Sequence, residues 1–274
     1  MRLASFPRNI VIVATSAVNS FFHSQSLSYL DKIHKNIQGK YMNSKILLML
    51  QLQNQLNDAT NGEEWVKGIT KNKKVINWKR CIYMECAEMI DSFGWKHWKN
   101  IEIAPDWDNL QIEVVDVWHF IMSLAIENYS QNLRGGLEDL AMNISDLDSF
   151  SKLEMQKGTF AEQNIVMEKV EDIMRMALTK ESLELEVLFG DFFALVTMSG
   201  LNLETLYRLY VGKNILNQFR QDHGYKDGSY IKVWDGEEDN VVMKRIWEDN
   251  GELTPEKLYR ELTKQYLALT KKSE

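Results

Sequence analysis

Two pairs of acids at helical spacing inside apolar stretches limit what this chain can become. Glu85 and Glu88 stand at i and i+3 in "RCIYMECAEMIDSF", and Glu113 and Asp116 repeat that spacing in "IEVVDVWHFIMSLAI". Positions three apart share one face of an α-helix, whereas in a strand they would point to opposite faces. Ile82, Met89 and Ile90 accompany the first pair. Val114, Val115, Val117, Phe120, Ile121 and Leu124 surround the second. Both pairs are therefore expected to face a helix–helix contact rather than open water.

Four carboxylates in such a contact repel one another and cannot all stay ionised without a counter-charge. A hard divalent cation supplies it, because Mg²⁺ prefers oxygen ligands and accepts shared waters and phosphates. Two such ions suit phosphate chemistry, clamping the attacking and the leaving oxygen. Solvated acids paired with lysines are the alternative for any single acid, but two matched pairs on apolar helices count against it. A di-iron site is weaker. Asp116 and His119 are three apart, yet neither His97 nor His223 has a carboxylate three residues before it to make a second such pair.

The rest of the chain is helical in pattern. With 3 prolines and 14 glycines in 274 residues, little interrupts it. Apolar periodicity predicts helices over 44–57, 75–93 and 110–130, the last opened by Pro105-Asp106. Two more are expected between Leu137 and Lys180 around "KLEMQKGTF", another over 181–198, and a last strong one closed by Gly224. "SYIKVW" is the one plausible short strand. The fold class is all-α, a bundle of six or more helices. Cys81 and Cys86, five apart on a helix, point to different sides and should not pair, which fits a reducing cytoplasm.

The first forty residues read differently. They carry no acid before Asp31 and hold "IVIVATSAV", about half the length of a membrane span. Arg2 and Arg8 precede that run, so a targeting leader is one reading and a true start at Met42 is another. Residues 1–41 are expected to lie outside the fold, and 42–274 to form a single domain. A net charge of −7 argues against a nucleic-acid binder, though not against a local basic pocket.

Such a pocket is visible. Lys213, Asn217 and Arg220 follow one another at spacings of four and three, one helix face, and Lys226 and Lys232 follow on a turn beside Tyr225 and Tyr230. Guanidinium forks and ammonium groups suit phosphate oxygens. A solvated basic helix end is the bland alternative. The rings of "WKHWK" are ordinarily packing, and the sharper reading is that one of them stacks on a base while a neighbouring lysine faces phosphate. The amides of Gln53 and Asn57, at i and i+4, offer donors and acceptors for a base edge.

Taken in order, "LQLQNQLND", "RCIYMECAEMIDSFGWKHWK", "EVVDVWHF" and "GKNILNQFRQDHGYKDGSYIKVWDGEEDN" resemble the dimeric dUTPase family of the all-α nucleoside-triphosphate pyrophosphatases, most of all its epsilonproteobacterial members. The resemblance runs from about Met42 to the C-terminus and is weakest over 137–180. It implies Mg²⁺-dependent hydrolysis of dUTP and dUDP to dUMP by a cytoplasmic homodimer, with two or more ions per site and no nucleic acid or membrane as partner. It also implies that Glu85, Glu88, Glu113 and Asp116 hold metal, with Glu85 or Glu88 also acting in catalysis, Glu85 by orienting the attacking water. Gln53, Asn57, Trp98 and His119 would surround the uracil nucleoside. Lys99, Lys213, Asn217, Arg220, Tyr225, Lys226 and Lys232 would line the phosphate side. A broad-specificity MazG-like pyrophosphatase shares the acids, and a non-catalytic helical interaction protein is the rival from another class.

Overall fold

Short polar residues set where the helices begin. Asn77 accepts a hydrogen bond from the Arg80 amide at 2.8 Å, and Asp106 accepts one from the Asn109 amide at 2.9 Å. Asn202 and Thr205 cap reciprocally, each side chain taking the other's backbone N–H. Such caps satisfy first-turn amides that no helical carbonyl can reach.

The computed structural model describes residues 44–99, 103–179, 183–250 and 254–272. The expected leader lies outside them. Among the described residues there are ten α-helices. The first five are α1 (Ser44–Asn61), α2 (Trp78–Asp91), α3 (Trp107–Gln131), α4 (Leu137–Ser145) and α5 (Asp148–Met155). Then come α6 (Gln163–Leu178), α7 (Leu185–Met198), α8 (Leu203–Asp222), α9 (Asp239–Asp249) and α10 (Pro255–Lys272). A single hairpin, β1 (Val233–Trp234) with β2 (Glu237–Glu238), precedes α9.

The all-α expectation is met, with differences of detail. The first helix continues four residues beyond Asn57, so Asn57 faces the core from inside a helix. The second begins only at Trp78, because Val75 instead forms an antiparallel bridge with Ile69. Three helices occupy 137–178 rather than two, the extra break falling at Asp146–Leu147. Of "SYIKVW" only Val233 and Trp234 are strand; Asp235 (φ +49°) and Gly236 (φ +92°) turn the chain tightly into Glu237. The two cysteines are unpaired thiols.

Helix α3 is the axis, packing against α1, α2, α7 and α8. Val114, Val117, Ile121 and Met122 are fully buried, and Trp118 stacks flat on Phe192 at 4.9 Å. Each such apolar side chain contributes about 1.5–3 kcal/mol of transfer free energy, so together they can outweigh the cost of holding acids on the same helix. No described helix is long and apolar enough to cross a membrane.

Candidate active site

Where α2, α3 and α8 face one another, Glu85, Glu113 and Asp116 converge, each offering a carboxylate oxygen within 4.8 Å of the others. The i, i+3 spacing on α3 and the tight α2–α3 packing bring them together. Burial pushes the Glu85 carboxyl up to about 7, with Asp116 and then Glu88 adding repulsion. Burial pushes Glu113 up to about 8, with Asp116 again the next cause. A side-chain hydrogen bond with Glu113 offsets a small part of the rise at Glu85. Glu88, one turn beyond Glu85, is exposed, close enough to be felt by both carboxyls but outside the converging three.

Lys213 supplies the internal counter-charge. Its ammonium lies 2.8 Å from Asp116 Oδ2 and donates to Asn240 Oδ1 at 2.8 Å, with only 4% of the residue exposed. Gly212, next to it, lets α9 approach: a Cβ there would stand 2.7 Å from Met243 Sδ. Arg220, two turns further, grips Asp239 with a two-pronged contact of 2.8 and 2.7 Å and reaches Asn240 Oδ1 at 3.2 Å. Its remaining nitrogen donates to Asn217 at 3.2 Å, and Tyr230 donates to Asp239 at 2.7 Å. Asp239 and Asn240 were not picked out in the sequence analysis. They end the stretch "DGEEDN", and the hairpin before α9 folds these two residues inward.

On the other side of the acids, Gln53, Asn57 and His119 gather as expected. Gln53 Oε1 accepts from His119 Nδ1 at 2.6 Å, and Gln53 Nε2 donates to Asn57 Oδ1 at 3.2 Å. Ser123 and Tyr210, also missed in the sequence, complete the cluster. A Ser four residues after His119 was the available signal, since i+4 places it on the same helical face. Burial holds His119 down to about 4, so the ring is neutral.

Five expected residues stand apart from these clusters. The Trp98 ring is 61% exposed and packs on Trp95 and His97, and Lys99 is exposed beside it. Lys226 donates to the carbonyls of Ala59 and Thr60 at the end of α1, where the helix dipole favours a cation. Lys232 pairs with Glu238 at 3.3 Å on the surface. Tyr225 is half exposed, its ring 5.9 Å from the Arg220 guanidinium.

A three-carboxylate cluster bordered by buried cations and a neutral amide–imidazole pocket is the setting a nucleoside polyphosphate requires. The family model described as dUTPase matches residues 45–225. The chain belongs to the all-α dUTPase family. Its activity is accordingly that of a dUTP diphosphatase. The dUTPase match includes the poorly resembling middle region and ends at Tyr225, so Lys226 and Lys232 lie beyond it. No curated protein matches the chain.

Proposed function

We propose that this dUTPase hydrolyses both dUTP and dUDP to dUMP with Mg²⁺, in the cytoplasm and as a homodimer, keeping uracil out of DNA and supplying dUMP. Residues 42–274 serve as the single catalytic domain, with 1–41 outside it. The observation that carries the reading is the order of groups along α8. Tyr210 touches the amide–imidazole cluster, Lys213 the acids, and Arg220 the far basic end. At 1.5 Å of rise per residue these stations span about 15 Å. They follow the order of the substrate itself: base, α-phosphate, distal phosphates.

The donor set suits the metal. Glu85, Glu113 and Asp116 offer converging oxygens, with Glu88 at the rim, and an all-oxygen set is what a hard divalent cation takes. Two or more Mg²⁺ ions held there would supply Lewis-acid charge at the phosphate oxygens. Glu85 would orient the attacking water and take up its proton. Water adds to the α-phosphorus, the bond from that phosphorus to the bridging oxygen breaks, and pyrophosphate leaves (phosphate from dUDP). Lys213, Asn217 and Arg220 hold the charge that accumulates on the leaving group. Gln53, Asn57 and His119 surround the uracil, and Trp98 closes on it from its exposed turn. Lys99, Tyr225, Lys226 and Lys232 complete the phosphate side from the surface.

Product analysis with dUTP, dUDP, dCTP and dTTP, with and without Mg²⁺, tests this. Magnesium-dependent dUMP from the two uracil nucleotides alone is the expected result. Comparable hydrolysis of dCTP and dTTP would replace it with a broad pyrophosphatase.

A further inference from the structure

The most basic stretch of the chain belongs to none of the clusters above. From Trp65 to Met84 the sequence holds Lys67, Lys71, Lys73, Lys74, Lys79 and Arg80 and no acid, in a protein whose net charge is −7. Its middle is a tight hairpin closed by the Ile69–Val75 bridge. Across the tip the Thr70 amide donates to the Lys74 carbonyl at 2.9 Å, and the Lys73 amide to the Thr70 carbonyl at 2.8 Å. Lys71, Lys73 and Lys74 stand exposed on that tip. Glu64, which also feels Lys73, is already taken up by Lys67. Among the described residues no acid forms an ion pair with the three tip lysines. Lys73 has φ +60°. That left-handed backbone suits Gly or Asn and is costly for a lysine, so an ammonium group is kept at a corner where shape alone would choose otherwise.

The hairpin is fastened beside the substrate site. The Lys71 amide donates to the Asn61 carbonyl, and Gly62 (φ +93°) lets the segments touch, since a Cβ there would stand 3.0 Å from Lys71 Cβ. Asn61 ends α1 one turn beyond Asn57 of the amide pocket. Lys226 reaches the same end of α1 through Ala59 and Thr60, and burial, then the charge of Lys71, hold its ammonium below the usual range. Its neighbour Tyr225 has its ring 5.9 Å from the Arg220 guanidinium. Cations therefore run outward from buried Arg220, past Lys226 and Lys71, to Lys73 and Lys74. In the free protein this line repels itself, and an incoming polyanion relieves it.

We propose that the 69–75 hairpin is an electropositive approach surface, whose Lys71, Lys73 and Lys74 draw the polyphosphate tail of the nucleotide towards the site before any contact inside it is made. This rests on the dUTPase reading and adds how an anion reaches a net-negative protein. A rim of cations that focuses the field raises association about 10- to 1000-fold. It acts on the encounter and not on the bound complex, so kcat is left alone.

The test is Mg²⁺-dependent hydrolysis of dUTP and dUDP by the full-length chain and by a triple variant, Lys71→Gln with Lys73→Asn and Lys74→Gln. Asparagine is used at 73 because it accepts the left-handed backbone. A charge-matched variant carries Lys152→Gln, Lys157→Gln and Lys257→Gln, exposed positions outside the hairpin. Ionic strength runs from about 0.01 M to about 1 M, which shrinks the Debye length from about 30 Å to about 3 Å. At low salt the hairpin variant should lose about tenfold in kcat/KM for dUTP and less for dUDP, which carries one charge fewer, with kcat unchanged. The loss should vanish at the highest salt, and the charge-matched variant should show much less of it. An unchanged kcat/KM overturns the proposal. So does a loss that persists at high salt, that the charge-matched variant equals, or that falls on kcat. In all these cases dUTP turnover by the unaltered chain leaves the dUTPase reading standing. An unaltered chain that does not hydrolyse dUTP removes that reading and the proposal with it.

Discussion

Lys213 and Asp116 form a buried ion pair, 2.8 Å from ammonium to carboxylate, at the point where three acids meet. Without that ammonium the carboxylates would have only protons to neutralise them. Lys213→Met is therefore expected to destabilise the metal-free protein by about 3–5 kcal/mol at pH 8, the usual effect of removing one partner of a buried pair. The loss should shrink towards pH 6, where Glu85 and Glu113 take up protons instead. Urea unfolding at both pH values checks this, and equal losses would show that Lys213 does not neutralise the cluster.

Stability of the metal-free protein should itself fall as pH rises. Glu85 and Glu113 are raised to about 7 and about 8 in the fold against an ordinary value of 4.5. Between 4.5 and 8 the folded state then holds more protons than the unfolded one, so each step up in pH favours unfolding. Mg²⁺ takes the deprotonated form, so its binding should tighten over the same range and release protons. Calorimetric titration in two buffers of different ionisation enthalpy measures that release directly; an identical heat in both would contradict it.

The exposure of the acids ranks their substitutions. Glu113→Gln replaces a carboxyl that burial pushes towards its neutral form, so folding should survive while turnover falls by more than the 10- to 100-fold typical of supporting residues at metal sites. Glu88→Gln alters an exposed group at the rim. It should also reduce turnover, but the loss should be partly recovered at high Mg²⁺. Magnesium titrations of the two variants separate these outcomes, and near-normal turnover in Glu113→Gln would remove that residue from the site.

Arg220 grips Asp239 at its fork while Asn217 takes the third nitrogen, so in this structure it ties α8 to α9. A double-mutant cycle with Arg220→Met and Asp239→Leu should give a coupling at the upper end of the 0.5–3 kcal/mol range for contacting residues. A coupling near zero in unfolding experiments would mean the contact is not formed in solution.

How much of this was legible in the sequence depends on whether a residue acts along its own helix or across to another. Glu113 and Asp116 were readable because i, i+3 spacing among valines and isoleucines states a face and its burial, whereas the same spacing in Glu85 and Glu88 brought only Glu85 inward and left Glu88 exposed. Gln53 and Asn57, at i and i+4, share a face by helical spacing, as do Lys213, Asn217 and Arg220, and their roles came from the resemblance. Asp239 and Asn240 were not, because their burial depends on a hairpin turning the chain by about 180°, and no local pattern encodes what that turn brings inward. Tyr210 and Ser123 were hidden in apolar runs, where one hydroxyl does not disturb the periodicity. The division of 137–178 into three helices escaped because its break at Asp146–Leu147 carries neither Gly nor Pro.

Trp98 is where the sequence expectation and the structure stand furthest apart. The resemblance puts its ring against the base, while the structure shows it 61% exposed and packed edge-on against Trp95 at 5.4 Å. An exposed ring with so little buried area contributes little to folding, so Trp98→Ala should change stability by no more than about 0.5 kcal/mol. If the ring closes over the substrate, the same variant should raise KM for dUTP several-fold, since stacking on a base is worth about 1–3 kcal/mol. Because stacking accepts any base, the preference for dUTP over dCTP should stay unchanged. A rise in KM with constant selectivity assigns Trp98 to closure and leaves base choice to the buried pocket. An unchanged KM would confine the ring to its surface cluster with Trp95 and His97.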